Sequence, residues 1–184
     1  MRYLMLRVVL CLCFGLLASC GAFGEPGRYD TVEMELNAIH QYAGSLVANT
    51  FVVHEVVGER QSVSQCDPLN RERGGVTLCV RVGELSGREI VEELRAAVES
   101  RGLPTVDEPT TDPVLATGGF TAEVDEIAGN LWISPFRSRS NDFEVARIAA
   151  LTGCYPPDRV EDSSAISYVQ GDVEFVTTRF STPG

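Results

Sequence analysis

Apolar residues recur along this chain with two periods, and the switches between them mark out the elements. Val32, Leu36, Ile39, Ala43 and Leu46 step by four and three, which places them on one face of a helix that Asp30 opens with Glu33 three residues on. That helix is expected to end near Asn49, and the β-branched run Phe51 to Val57 to form a strand closed by Gly58. From 76 to 82 the period becomes two: Val76, Leu78, Val80 and Val82 point one way, Thr77, Cys79 and Arg81 the other. Ser86 and Glu89 then form a capping box for a second helix, with Ile90, Leu94, Ala97 and Val98 on its inner face and Gly102 as its stop.

The second half reads mainly as strands. An acidic loop at 105–113 carries Pro109 and Pro113, which bar it from a central strand. Phe120 to Glu126 and Leu131 to Phe136 flank Gly129-Asn130, and Ile166 to Gln170 and Val173 to Phe180 flank Gly171-Asp172; both are two-residue hairpin signals. Between them, Ala146, Ile148, Ala150 and Thr152 alternate as a strand does, although Asn141 and Glu144 also fit a short helix; the reading adopted is strand. The order predicts an α+β fold, a mainly antiparallel sheet with two helices packed on one face, leaving the other face or the edges for contact.

The N-terminus is of a different kind. Met1 to Arg7 carries two positive charges and no acid, and Val8 to Leu17 has no charge at all. That run is too short to remain as a span, which needs about 20 apolar residues, and Ala18 and Ser19 have the small side chains of a peptidase site. An ordinary secreted protein cleaved near Ala18 would look similar. The four residues Leu17-Ala18-Ser19-Cys20, however, resemble the lipobox of bacterial lipoproteins, and the run before them resembles their signal peptide. The resemblance implies cleavage between Ser19 and Cys20 and lipid attachment at Cys20. It further implies a membrane anchor on the extracytoplasmic face of the cell membrane, held by at least two acyl chains, since one anchors only marginally. The expected organisation is a signal peptide at 1–19, a lipidated Gly/Pro-containing tether at 20–29 and one α+β domain at 30–184. All fifteen basic residues are arginine, and with the lipobox this composition resembles that of small actinobacterial lipoproteins.

Charge narrows the partners. The formal net charge is −11, and the signal segment holds two of the basic residues and none of the 26 acids, so the mature domain is more acidic still. Such a surface repels phosphate backbones, and no nucleic-acid partner is expected. The expected partners are the membrane, through the lipid, and an envelope protein or ligand.

Cys66, Cys79 and Cys154 follow Cys20, and three thiols allow one bridge with three possible pairings. Cys66 and Cys79 enclose Asn70 and Gly74-Gly75, which fits a loop joining two strands, and closing it would stabilise by about 3 kcal/mol. The lipoprotein resemblance points instead to Cys66 with Cys154. The residues themselves lean slightly to Cys66–Cys79.

Chemistry-bearing patterns are sparse. His54-Glu55 begins like a zinc-protease motif, but position 58 is Gly, so His54 is expected to be a strand residue with a polar partner. His40 falls off the apolar stripe of its helix, which predicts a solvated or half-buried position. Cys154 with either histidine is the one nucleophilic pair to be drawn, and its neighbours do not support it. Gly118-Gly119 is too short to cradle a nucleotide, and Cys66 and Cys79 lack zinc-site spacing. Neither Asp107, Glu108 and Asp112 nor Glu123, Asp125 and Glu126 have calcium-loop spacing. Trp132, Phe136 and Phe143 near Arg137 and Arg139 are the residue types of a contact surface, although Trp132 is read first as core. No catalytic set, metal or cofactor is expected. The reading is a membrane-anchored exported lipoprotein acting as a non-catalytic binding or envelope-associated module; the alternatives are an exported thiol- or carboxylate-dependent hydrolase and a carrier of an apolar ligand between helices and sheet.

Overall fold

The computed structural model describes residues 27–66, 70–108, 118–127, 129–137, 143–160 and 166–176. Helix α1, Val32–Thr50, begins at Thr31, whose hydroxyl accepts from the Met34 amide, so the cap falls one residue after Asp30. Its buried face holds Val32, Leu36, Ile39, Ala43 and Leu46, all five of the periodic positions. Helix α2, Gly87–Ser100, has both halves of the Ser86–Glu89 capping box and buries Ile90, Val91, Leu94 and Val98. Gly102 follows at φ +77°, the left-handed stop that glycine tolerates best.

Among the described residues, seven strands form one antiparallel sheet: β1 Glu55–Gln65, β2 Glu72–Arg81, β3 Thr105–Asp107, β4 Phe120–Val124, β5 Gly129–Arg137, β6 Glu144–Leu151 and β7 Tyr168–Gly171, in the order β3-β4-β5-β6-β2-β1-β7. Both helices lie on one face, α1 over β2 and α2 over β5 and β6. Val76, Leu78, Val80, Ala146, Ile148, Leu131, Ile133 and Phe120 meet them there in one core. The α+β architecture with two helices on one face is therefore the one the periodicity predicts. The stretch 143–152 is strand, as its alternation indicates, with β6 central in the sheet. Among the described residues, no helix is long and apolar enough to cross a membrane.

The differences from expectation lie at one edge and at turns: residues 105–107, expected as part of an acidic loop, form the short edge strand β3. Phe51 to Val57 is not the first strand: Phe51 caps α1, Val52 and Val53 are exposed, and β1 starts at Glu55 and runs through Gly58 with a bulge. The strand is set by its pairing with β2, which the local run of β-branched residues does not report. Gly74 and Gly75 are not a turn but lie inside β2. A Cβ on Gly74 would stand 2.5 Å from Leu36 Cδ2, so its missing side chain lets α1 settle onto the sheet. In the β4–β5 hairpin, a 3-10 turn at Asp125–Ile127 reverses the chain, and Gly129 and Asn130 already pair with Val124 and Glu123. At Gly171-Asp172 there is no hairpin; β7 ends at Gly171, and Val173–Val176 forms a one-turn helix, α3, on the sheet's second face.

The register gives the sheet two distinct ends. Gln65, Glu72, Gly129 and Leu151 meet at one, and Glu55, Arg81, Arg137 and Glu144 at the other. The ten residues of β2 separate them by roughly 30 Å. A disulfide joins Cys66 to Cys154 at the first end, with Cα atoms 6.3 Å apart; this is called the bridge end below. Cys79 is free and buried, so the Cys66–Cys79 pairing is corrected. Cys66 donates its amide to Arg71 just ahead of β2, whereas Cys79 lies seven residues along that strand from Glu72, roughly 23 Å away. Strand rise, invisible in a count of loop residues, keeps the two sulfurs apart.

Candidate functional site

The far end carries a cleft of about 380 Å³ lined by Arg81, Glu84, Leu85, Ser86, Arg137, Phe143 and their neighbours Gly83, Glu89 and Glu144. Each lining element arrives there for a structural reason. Arg81 ends β2, Arg137 ends β5 and pairs in register with Glu144, and the tight Gly83–Leu85 connection delivers the chain into α2. The Arg81 guanidinium sits 4.8 Å from the centre of the Phe143 ring. The helix end is already occupied: Glu89 accepts from the Ser86 amide and hydroxyl at 2.8 Å each, and these donors hold its carboxyl below the usual range. The cleft therefore presents arginine and glutamate side chains beside an aromatic ring. That combination suits a polar ligand or peptide segment bearing both charge signs, bound by ion pairing and ring contact.

At the bridge end, the chain comes in against the body of the domain. Gly27 donates its amide to the Cys154 carbonyl at 3.2 Å, and the Tyr29 amide donates to the Tyr155 hydroxyl at 3.1 Å. Gly27 lies flat on the Tyr155 ring, where a Cβ would be 2.0 Å from Cζ. Arg28 and Tyr29 reach the carbonyls of Asp125 and Glu126. The last residues of the expected tether, Gly27, Arg28 and Tyr29, are thus docked rather than free-running. Beneath them Glu35, 1% exposed, accepts from the Tyr155 hydroxyl at 2.6 Å and from the Gly153 amide at 3.3 Å. Burial is the main influence on that carboxyl and raises its pKa; the same burial, with the carboxylate beside it, raises that of Tyr155.

At the sheet edge, His40 on α1 lies 3.0 Å from Glu59 on β1, and Glu59 also accepts from the Tyr168 hydroxyl. Burial and then the carboxylate push the Tyr168 phenol up to about 12. A second cleft, about 460 Å³, opens along this edge between Arg60–Val63 and Ser167–Val169. His40 is half-buried, as its place off the apolar stripe indicates. His54 is an exposed residue one position ahead of β1, not a strand residue with a partner in the sheet.

The predicted site residues are therefore dispersed. Ser19 and Cys20 lie outside the described residues, as do Asp112 and Arg139. Cys66 and Cys154 are joined, and Cys79 stands alone on the second face, where burial drives its thiol up to about 11. Trp132 is half-buried on that face, because Leu131 and Ile133 take the two inward positions. Among the described residues, no three His, Cys, Asp or Glu side chains stand together as metal ligands. Glu35, Tyr155, Glu59 and Arg147 carried no local motif, and long-range strand register is what assembles them. No protein-family model, curated protein or solved structure matches the chain.

Proposed function

We propose that this chain is an exported lipoprotein, cleaved after Ser19 and acylated at Cys20, whose single domain is a non-catalytic binding module. In this reading the bridge end faces the bilayer and the far-end cleft is presented to a polar envelope partner. The observation that carries it is that Gly27 and Tyr29 dock at the bridge end while the charged cleft opens at the opposite end of the same strands. Six residues separate Cys20 from Gly27, a reach of about 25 Å at full extension, so the domain stays close to the membrane surface. A disulfide supports export, because such bridges persist in oxidising compartments. Cleavage leaves a domain more acidic than the whole chain's −11, which keeps it off anionic headgroups.

The thiol-enzyme alternative draws less support. Cys154 is committed to the bridge, and Cys79 is sealed with a raised pKa, so neither offers a ready thiolate. The carrier alternative asks for space between helices and sheet, where Leu36, Leu46, Leu94, Val80 and Ile133 fill the interface.

The test has two arms. In a host that processes lipoproteins, the wild type takes up labelled palmitate and sediments with membranes, while Cys20→Ser does neither; equal labelling of both overturns the anchor. Cross-linking in the envelope recovers a partner with the wild type and loses it with Arg81→Glu/Arg137→Glu; undiminished recovery overturns the cleft assignment.

A further inference from the structure

The sheet's second face carries its own small apolar cluster, separate from the main core. Cys79, Val145, Phe175 and Val176 are buried there, with Val57, Phe136 and Phe143 packed around them. Two of these residues come from α3, whose four residues form a single turn, far below the length at which a helix holds itself. Phe175 packs edge-on to Phe136 at 5.8 Å and tilted against Phe143 at 5.4 Å. Its carbonyl receives two donors from the sheet, Arg147 Nη2 at 2.8 Å and the Cys79 thiol at 3.6 Å. Upstream, the Asp172 amide donates to the Val57 carbonyl at 2.8 Å.

Closure has a counterweight. Arg147 stacks on the Phe136 ring at 3.9 Å, and its Nε is buried without a hydrogen-bond partner. Seating α3 takes this cation out of water, and burial pulls its pKa down. The burial of two apolar side chains is thus set against a desolvated guanidinium and the ordering of a one-turn segment. No residue of α3 belongs to the main core.

We propose that α3 with Asp172 is a releasable strap: it opens as a unit while the two-helix fold stays intact, and it controls the far-end cleft through Phe143. Phe143 is shared, packed on Phe175 on one side and lining the cleft beneath Arg81 on the other. Opening uncovers an apolar groove and the Cys79 thiol, and it frees Phe143 to move in the cleft. The part concerning the cleft rests on the binding reading above; the strap itself does not.

Cys79 supplies the measurement. The full chain with Cys11→Ser, Cys13→Ser and Cys20→Ser, which leaves Cys79 as the one thiol outside the bridge, is treated with an aromatic disulfide reagent in native buffer; the Cys79 sulfur displaces one coloured thiol per molecule, and the same chain with Cys79→Ala is the blank. Labelling is expected to proceed faster than global unfolding permits. Phe175→Ala is expected to accelerate it about a hundredfold, and Val176→Ala about tenfold, while helix content and the main unfolding transition persist. Labelling that tracks global unfolding in the wild type and in Val176→Ala overturns the strap. For the link to the cleft, Arg81→Met, which removes the cation above Phe143, is expected to speed labelling several-fold; an unchanged rate overturns that link while leaving the binding proposal to its own test.

Discussion

Tyr155 donates its hydroxyl to the Glu35 carboxylate across 2.6 Å, although the two stand 120 positions apart in the sequence. The contact joins the first turns of α1 to the segment carrying Cys154, and the Tyr29 amide bonds to the same hydroxyl. A carboxylate buried this deeply keeps a charge only because donors surround it.

Glu35 gives a pH signature. Burial lifts its carboxyl above 4.5, against hydrogen bonds from Tyr155, Gly153 and Arg28. The folded chain then holds a proton that the unfolded chain has released, so this group's contribution falls as pH rises from 4.5 through the raised value. Glu35→Gln cannot ionise. Its melting temperature relative to the wild type should therefore climb between about pH 4 and pH 7. A difference that is flat across that range counts against the assignment.

The bridge closes a long loop, Cys66 and Cys154 standing 88 positions apart. Chain-entropy reasoning assigns such a closure about 4–5 kcal/mol. Cys154→Ser should lose stability of that order in urea titrations and become indifferent to reductant. Cys79→Ala should keep the full response to reductant, since its thiol takes no part in the bridge.

Close approach at Gly74 predicts a coupled pair. Gly74→Ala forces a methyl against Leu36 and should cost about 2 kcal/mol. Leu36→Ala alone leaves a cavity, and the double variant should lose clearly less than the two singles together. Additive losses in a denaturation cycle would mean that α1 does not rest on that glycine.

Ser86→Ala removes the acceptor for the Glu89 amide and one of the two donors to its carboxylate, so α2 should lose about 1 kcal/mol. Amide hydrogen exchange in the first turn of α2 should rise more than in its last turn, where Gly102 still closes the helix.

What was legible in the chain follows from the range of each interaction. Ile90 to Val98 and Val76 to Val82 announce their faces because helix and strand periods are local, and the Ser86–Glu89 box acts within one turn. The fold class followed from these. Misplaced boundaries at Phe51, Gly58, Gly74 and Gly171 share a different cause: each is decided by a partner distant in sequence, β2 for β1, Leu36 for Gly74, Val57 for Asp172. The candidate sites suffered most. The far-end cleft joins Arg81, Arg137 and Phe143, and no spacing rule connects residues brought together by strand order. The slight lean to Cys66–Cys79 has the same cause, since loop length ranks pairings but the direction of β2 decides them.

The docking of Gly27 on Tyr155 also determines where a mechanical load would travel. A pull on the chain ahead of Gly27 is delivered at once to α1 through Glu35, to the β4–β5 turn through Arg28 and Tyr29, and to the Cys154 segment, which is covalently tied to the end of β1. Tension is thereby spread over three parts of the fold before any strand is peeled. A domain tugged from that side resists as one body, and its opposite end remains mechanically quiet.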